Sequence, residues 1–183
     1  CFRASVLKQM RNLTNPPTVL DDLAFHLLAY CDMHGKVVYV SGSYVRYMVR
    51  AGSIINSVKK SQVDSIRAAF LEIRSQYEAV RPELLPMLDE VAFLHLGVSL
   101  VFRLSSTPGE NVVKDISEIT EYLDGEFPTW RHSPYINGAY AFSRGGALLK
   151  LLIVQKVYKL HLMRAFLAIY SFMIEKAHVD IKW

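Results

Sequence analysis

The chain has 183 residues, 51% of them hydrophobic and 21% charged, the balance of a packed globular protein and not of a disordered one. A net charge of +4 is too mild a bias to imply nucleic acid as a partner, and no nucleic-acid module signature occurs. Two cysteines, Cys1 and Cys31, exclude a disulfide framework and have no metal-ligand spacing, so a reducing compartment is expected.

Cys1 stands where Met would start a native chain, which points to a fragment or a processed product. The first ten residues carry Arg3 and Lys8 and have no continuous apolar region, unlike a secretory signal. The longest apolar run, Val91 to Phe102, contains His95 and falls short of the roughly 20 residues that a bilayer span needs.

In chain order, Ser5 to Leu13 suits a short helix, and Asn15-Pro16-Pro17-Thr18 a rigid loop, because tandem prolines fix φ and remove donors. A helix is expected from Asp21. Its first-turn carboxylates suit the positive end of the helix dipole, Leu23, Leu27 and Tyr30 recur at helical spacing, and His34-Gly35 is a stop. Lys36 to Ser41 is rich in β-branched and aromatic residues and predicts a strand, with Tyr44 to Arg50 as a second strand. From Asn56 the period becomes helical. Val63, Ile66, Phe70, Ile73 and Tyr77 share one face, and Arg81-Pro82 interrupts it.

Glu83 to Leu104 and Asn111 to Leu123 predict two more helices. Gly125 to Ser143 reads as a loop dense in aromatics, and Ala147 to Val157 and Leu160 to Lys176 as closing helices. The fold class expected is therefore α/β passing into α. Residues 1–55 would be the end of a larger α/β domain, and residues 56–183 a helical bundle or tail.

Chemistry concentrates in the first third. Asp21 and Asp22 can supply a general base and a neighbour that orients a ligand or metal, although aspartates also open helices simply as caps. His26, four residues after Asp22, shares its side of a helix and fits either a ligand-binding or a structural role. Arg50 beside Gly52-Ser53 can grip a phosphate with its fork and nearby amides, or be the solvated end of a hairpin. No zinc pattern, readable nucleophile triad, Walker motif or Rossmann glycine motif occurs.

Two features further on stay open. The loop Phe127 to Ile136 can stack a sugar or base, or plug one end of a bundle. The C-terminal helices carry Lys150, Lys156, Lys159, Arg164 and Lys176 among apolar residues. They fit an anionic membrane surface over 147–176, a solvated bundle face, or a homo-oligomer interface.

Taken together, Phe2-Arg3-Ala4-Ser5, Asn15-Pro16-Pro17, Asp21-Asp22-Leu23, Lys36-Val37-Val38-Tyr39-Val40, then Tyr47, Arg50, Gly52, Ser53 and Ile54, and finally Phe127-Pro128-Thr129-Trp130-Arg131 with Tyr135-Ile136, resemble the second half of a bacterial family 2 glycosyltransferase of the capsule and exopolysaccharide kind. The resemblance covers nearly the whole chain. It implies a GT-A-like fold and inverting transfer from a nucleotide-sugar donor to a glycan or lipid-linked acceptor. Asp22 would be the base, Asp21 would stand where the family has Glu, and Arg50, Ser53 and His26 would contact substrate.

The resemblance further implies a divalent metal, Mg or Mn, in the full-length parent. The family's Asp-x-Asp ligand motif does not occur in this chain, so the fragment alone is expected not to turn over. The implied location is cytoplasmic, peripheral at the inner face of the cell membrane. The alternative from another class is a non-catalytic helical module for protein interaction or membrane docking.

Overall fold

The structure, a computed structural model, describes residues 4–33, 35–38, 40–42, 60–105 and 111–177. Of these residues 79% are helical and none lies in a strand. This corrects the expected α/β architecture with its GT-A-like domain to an all-helical fold. Tyr44 to Arg50, the second expected strand, lies outside the described residues, as does the boundary expected at residue 55.

At Lys36 to Ser41 the correction has a plain cause. The β-branched composition fits a pleated, half-buried surface, yet Val37, Val38 and Val40 are exposed by 64%, 76% and 64%. With no strand to pair with among the described residues, and no apolar face covered, propensity alone leaves this segment irregular.

The chain divides into two compact units, Cys1–Pro82 and Glu83–Trp183. In the first, α1 (Ala4–Gln9) and α2 (Asp21–Asp32) precede the long α3 (Lys60–Val80). The sequence pattern is realised directly. Val63, Ile66, Phe70, Ile73 and Tyr77 are buried on α3, and Ala24, Leu27, Leu28 and Cys31 on α2. Each large aliphatic or aromatic side chain so covered contributes roughly 1.5–3 kcal/mol before chain entropy is subtracted.

Polar ties fix the register of this unit. The Tyr77 hydroxyl donates to the Leu27 carbonyl at 2.7 Å, and Arg81 donates to the Met33 carbonyl at 3.2 Å, past the end of α2. Burial raises the Tyr77 pKa, with nearby Cys31 adding to the shift and Arg81 opposing it. Asp32 holds Arg11 through its backbone N–H at 3.0 Å and its side chain at 3.3 Å. Glu72 accepts from the N–H and hydroxyl of Thr14. The segment ahead of the prolines is thus tied to the end of α2 and to the middle of α3.

A 3₁₀ turn (Pro82–Leu84) leads into the second unit, whose first part is a continuous helical rod: α4 (Leu85–Ala92), a π-helical segment (Phe93–Leu100) and α5 (Val101–Ser105). By length and composition Pro82–Ser105 is apolar enough to cross a membrane, but Leu88, Phe93, Leu96, Val98 and Val101 are all buried within the chain. The rod reads as a core helix. Around it lie α6 (Val112–Glu126), a 3₁₀ turn (Pro128–His132), α7 (Gly138–Arg144), α8 (Gly146–Lys159) and α9 (Met163–Ala177).

The aromatic loop is the centre of this unit and not a surface. Phe127 and Trp130 are completely buried and Ile136 nearly so. Trp130 stacks on Phe93 with centroids 4.6 Å apart and meets the edge of Tyr158 at 5.6 Å. Gln155 donates to the Trp130 carbonyl at 2.7 Å. Of the two roles open to this loop, the plug is the one observed.

The π-helical segment depends on Gly97. The Tyr158 hydroxyl donates to its carbonyl at 2.5 Å, and a Cβ there would lie 2.8 Å from Phe93 Cδ2 and 3.1 Å from Leu123 Cδ1. Phe93 cannot yield easily, being held between Trp130 and Tyr158. For Gly97→Ala, overpacking of about 1–3 kcal/mol outweighs the gain of up to about 1 kcal/mol from replacing a helical glycine. A lower urea midpoint at unchanged m-value is the expected outcome.

Candidate functional site

The sequence places its chemistry at the start of α2, within the first unit. Leu20 precedes the helix with φ 64° and ψ 28°, a left-handed conformation uncommon for a branched residue, and gives no side-chain cap. Asp21 and Asp22 are therefore the first two helical residues. Asp22 Oδ1 accepts the Leu23 backbone N–H at 2.8 Å, satisfying one of the donors that a helix start leaves open. Both aspartates are exposed. Among the described residues Asp22 Oδ2 accepts no hydrogen bond, so this oxygen stays open to an approaching hydroxyl.

His26 comes one turn later on the same side, as the spacing requires. Its Nδ1 lies 2.6 Å from the Asp22 carbonyl oxygen, so that nitrogen carries the proton and Nε2 is left as an acceptor when the ring is neutral. Phe25 and Tyr30 flank the ring with centroids 5.6 Å and 6.2 Å away. Asp22 and His26 thus share one exposed face, with Asp21 exposed beside them in the first turn. Arg50 and Ser53, with Tyr47 and Gly52, lie outside the described residues.

The crevice beneath α2 is lined by Pro17, Leu20, Leu23, Ile66 and Phe70 and holds only about 10 Å³, room for roughly one water. Chemistry at Asp22 would therefore take place on an open face. No group of three or more His, Cys, Asp or Glu among the described residues could hold a metal ion. The described residues thus do not fit the divalent ion that the resemblance implies.

A second polar cluster escaped the sequence reading. Asp89 and Glu90 lie deep in α4, 1% and 8% exposed. Asp89 Oδ2 accepts the Thr129 backbone N–H at 2.9 Å and the Thr129 hydroxyl at 2.5 Å, fastening the Pro128–His132 turn to the rod. Glu90 is different. Both of its carboxylate oxygens are out of solvent and neither makes a well-formed hydrogen bond.

Burial pushes the Glu90 carboxyl up from 4.5 to about 7. Nearby Ser133 opposes the shift by favouring the ionised form, and the charge on Asp89 adds to it. These oxygens are closed off from solvent, so the raised pKa makes stability depend on pH. Between pH 4.5 and 7 the folded chain holds a proton on Glu90 that the unfolded chain releases, so this group's contribution to stability is fully present below about 4.5 and is lost as pH rises to 7. The rise from 4.5 to about 7 corresponds to about 3 kcal/mol. Glu90→Gln is expected to remove this slope, raising the melting temperature at pH 8 far more than at pH 5.

The third feature is a cleft of about 390 Å³ between α6 and the α8–α9 connection, lined by Ile116, Thr120, Glu121, His161, Met163 and Arg164 among others. Its volume is within the range of small-molecule sites, but the Ser117 and Thr120 hydroxyls are spent on the Val113 and Ile116 carbonyls of their own helix.

Comparison with protein-family models, curated proteins and solved structures finds no match to this chain.

Proposed function

We propose that this chain is the acceptor side of a sugar transferase of cell-surface polysaccharide synthesis, with Asp22 as its catalytic base. The observation that carries the reading is the Asp22 carboxylate: exposed in the first turn of α2, held at Oδ1 by the Leu23 N–H and open at Oδ2. Further support comes from the order of residues along the chain, in which Asp21-Asp22-Leu23 precedes Tyr47, Arg50, Gly52, Ser53 and Ile54.

In the reaction, the acceptor hydroxyl approaches Asp22 and gives up its proton to the carboxylate as its oxygen forms a bond to the sugar C1. The bond from C1 to the nucleoside diphosphate breaks from the opposite face, inverting the anomeric centre. The Leu23 N–H holds the carboxylate in place through Oδ1 at the exposed start of α2. Asp21, one residue earlier on the same exposed turn, would orient the acceptor. Transfer of labelled sugar from a nucleotide-sugar to endogenous acceptor, in membranes of cells carrying Asp22→Asn, tests this reading. Loss of transfer with the protein still folded and present is the expected result.

The second reading is a non-catalytic helical module for docking. It is favoured by the all-helical character of the described residues and by the exposed apolar side chains Ile153, Leu160, Ile169 and Phe172 on the last two helices and their connection. Undiminished transfer in the Asp22→Asn cells would favour it.

A further inference from the structure

We propose that the corner between α8 and α9, with the outer face of α9 that continues from it, docks on an anionic lipid bilayer. The corner is a built feature. Leu160, His161 and Leu162 turn the chain, and their backbone N–H groups are all taken, by the carbonyls of Lys156, Tyr158 and Val157 at 3.0 Å each. His161 adopts φ 56° to make the turn. The corner is thus fixed by its own hydrogen bonds, and it holds two leucines in solvent, 65% and 51% exposed.

From the corner, α9 turns Arg164, Ala165, Ala168, Ile169 and Phe172 outward. The spacing i, i+1, i+4, i+5, i+8 is one side of a helix. Ile169 and Phe172 are 59% and 62% exposed, while Met163, Leu167 and Tyr170 on the other side are buried. A single exposed leucine is ordinary; a run of four large apolar side chains along one corner and one helix face marks a surface that something covers.

Charge says what covers it. From Phe127 to Ile174 the sequence has no Asp or Glu, yet this stretch carries Arg131, Arg144, Lys150, Lys156, Lys159 and Arg164. Lys156, Lys159 and Arg164 lie within four residues of Leu160. Burial lowers the Lys159 pKa, and the positive charges of Lys156 and Arg131 add to the effect. The opposing acids lie on α6: Asp124 pairs with Arg131, and Glu121 shares the neighbouring cleft with His161 and Arg164.

Apolar tips ringed by cations are the chemistry of a peripheral anchor: the leucines and Phe172 enter the boundary between headgroups and acyl chains while Lys and Arg stay with anionic headgroups. A second copy of the same surface would instead bring like charges together, so a bilayer is the better occupant. This inference is independent of the role of Asp22.

The test is co-sedimentation of the chain with phosphatidylcholine vesicles, with and without phosphatidylglycerol. Binding is expected to need the anionic lipid and to weaken with salt. Leu160→Ser with Leu162→Ser, and separately Lys156→Glu with Arg164→Glu, are each expected to weaken it about tenfold or more. All four side chains are exposed, and an unchanged melting curve confirms that the variants fold. Equal binding to neutral vesicles, no binding to either kind by the folded chain, or a concentration-dependent dimer lost in the leucine variant would each overturn the proposal.

Discussion

Replacing Trp130 by alanine is expected to lower the unfolding free energy by about 3–5 kcal/mol, a large share of the 5–15 kcal/mol typical of a domain. The side chain has no exposure and joins four parts of the second unit. Its ring lies against Phe93 of the π-helical segment and the edge of Tyr158 on α8. Its indole N–H donates to Asp124 Oδ1 of α6 at 3.0 Å. Asp124 in turn takes both forks of Arg131, at 2.6 Å and 2.7 Å, while the Arg131 guanidinium lies 4.5 Å from the Trp130 ring centre.

Removing the indole therefore leaves a cavity at the meeting point of several helices and deprives Asp124 of a donor. Trp130→Phe keeps a ring and loses the N–H, so a smaller loss is expected. Urea denaturation of the wild type and both variants measures the series. Similar stability for all three would mean that the aromatic loop is not the centre of this unit.

The helices were legible because their apolar spacing is regular. The face Val63, Ile66, Phe70, Ile73, Tyr77 is the buried face of α3, and the Arg81-Pro82 break is where α3 ends. The strand at Lys36 was misread because its valines obey β-propensity, whereas a strand exists only with a partner, and local sequence carries no record of partners. The helix α7 was missed inside an expected loop. Its signal was present in Asn137-Gly138: the Asn137 side chain accepts the Tyr140 N–H at 2.9 Å, an N-cap hidden among aromatics.

The candidate site was legible in part. Asp22 and His26 at helical spacing do share a face, because four residues make one turn. What sequence could not supply was the cap. Leu20 takes the left-handed position, which makes both aspartates first-turn residues and turns Asp22 Oδ1 back onto the Leu23 N–H. The Asp89–Glu90 pair was invisible for the opposite reason. Adjacent acids read as solvated, and only tertiary packing puts them under the Pro128–His132 turn.

Asp22 is the residue on which the functional account stands, and Asn is the replacement that isolates its chemistry. Asparagine keeps an Oδ1 to accept the Leu23 N–H, so α2 keeps its start, but its amide cannot take up a proton. The measurement is transfer of labelled sugar from nucleotide-sugar donors to endogenous acceptor in membranes of cells carrying Asp22→Asn, with Asp21→Asn alongside and the amount of protein matched. Loss of a general base predicts a fall on the order of 10²–10⁴-fold for Asp22→Asn, and a smaller fall for Asp21→Asn, whose role is orientation. Transfer at the wild-type rate from the Asp22→Asn protein would contradict the account and leave a helical docking module in its place.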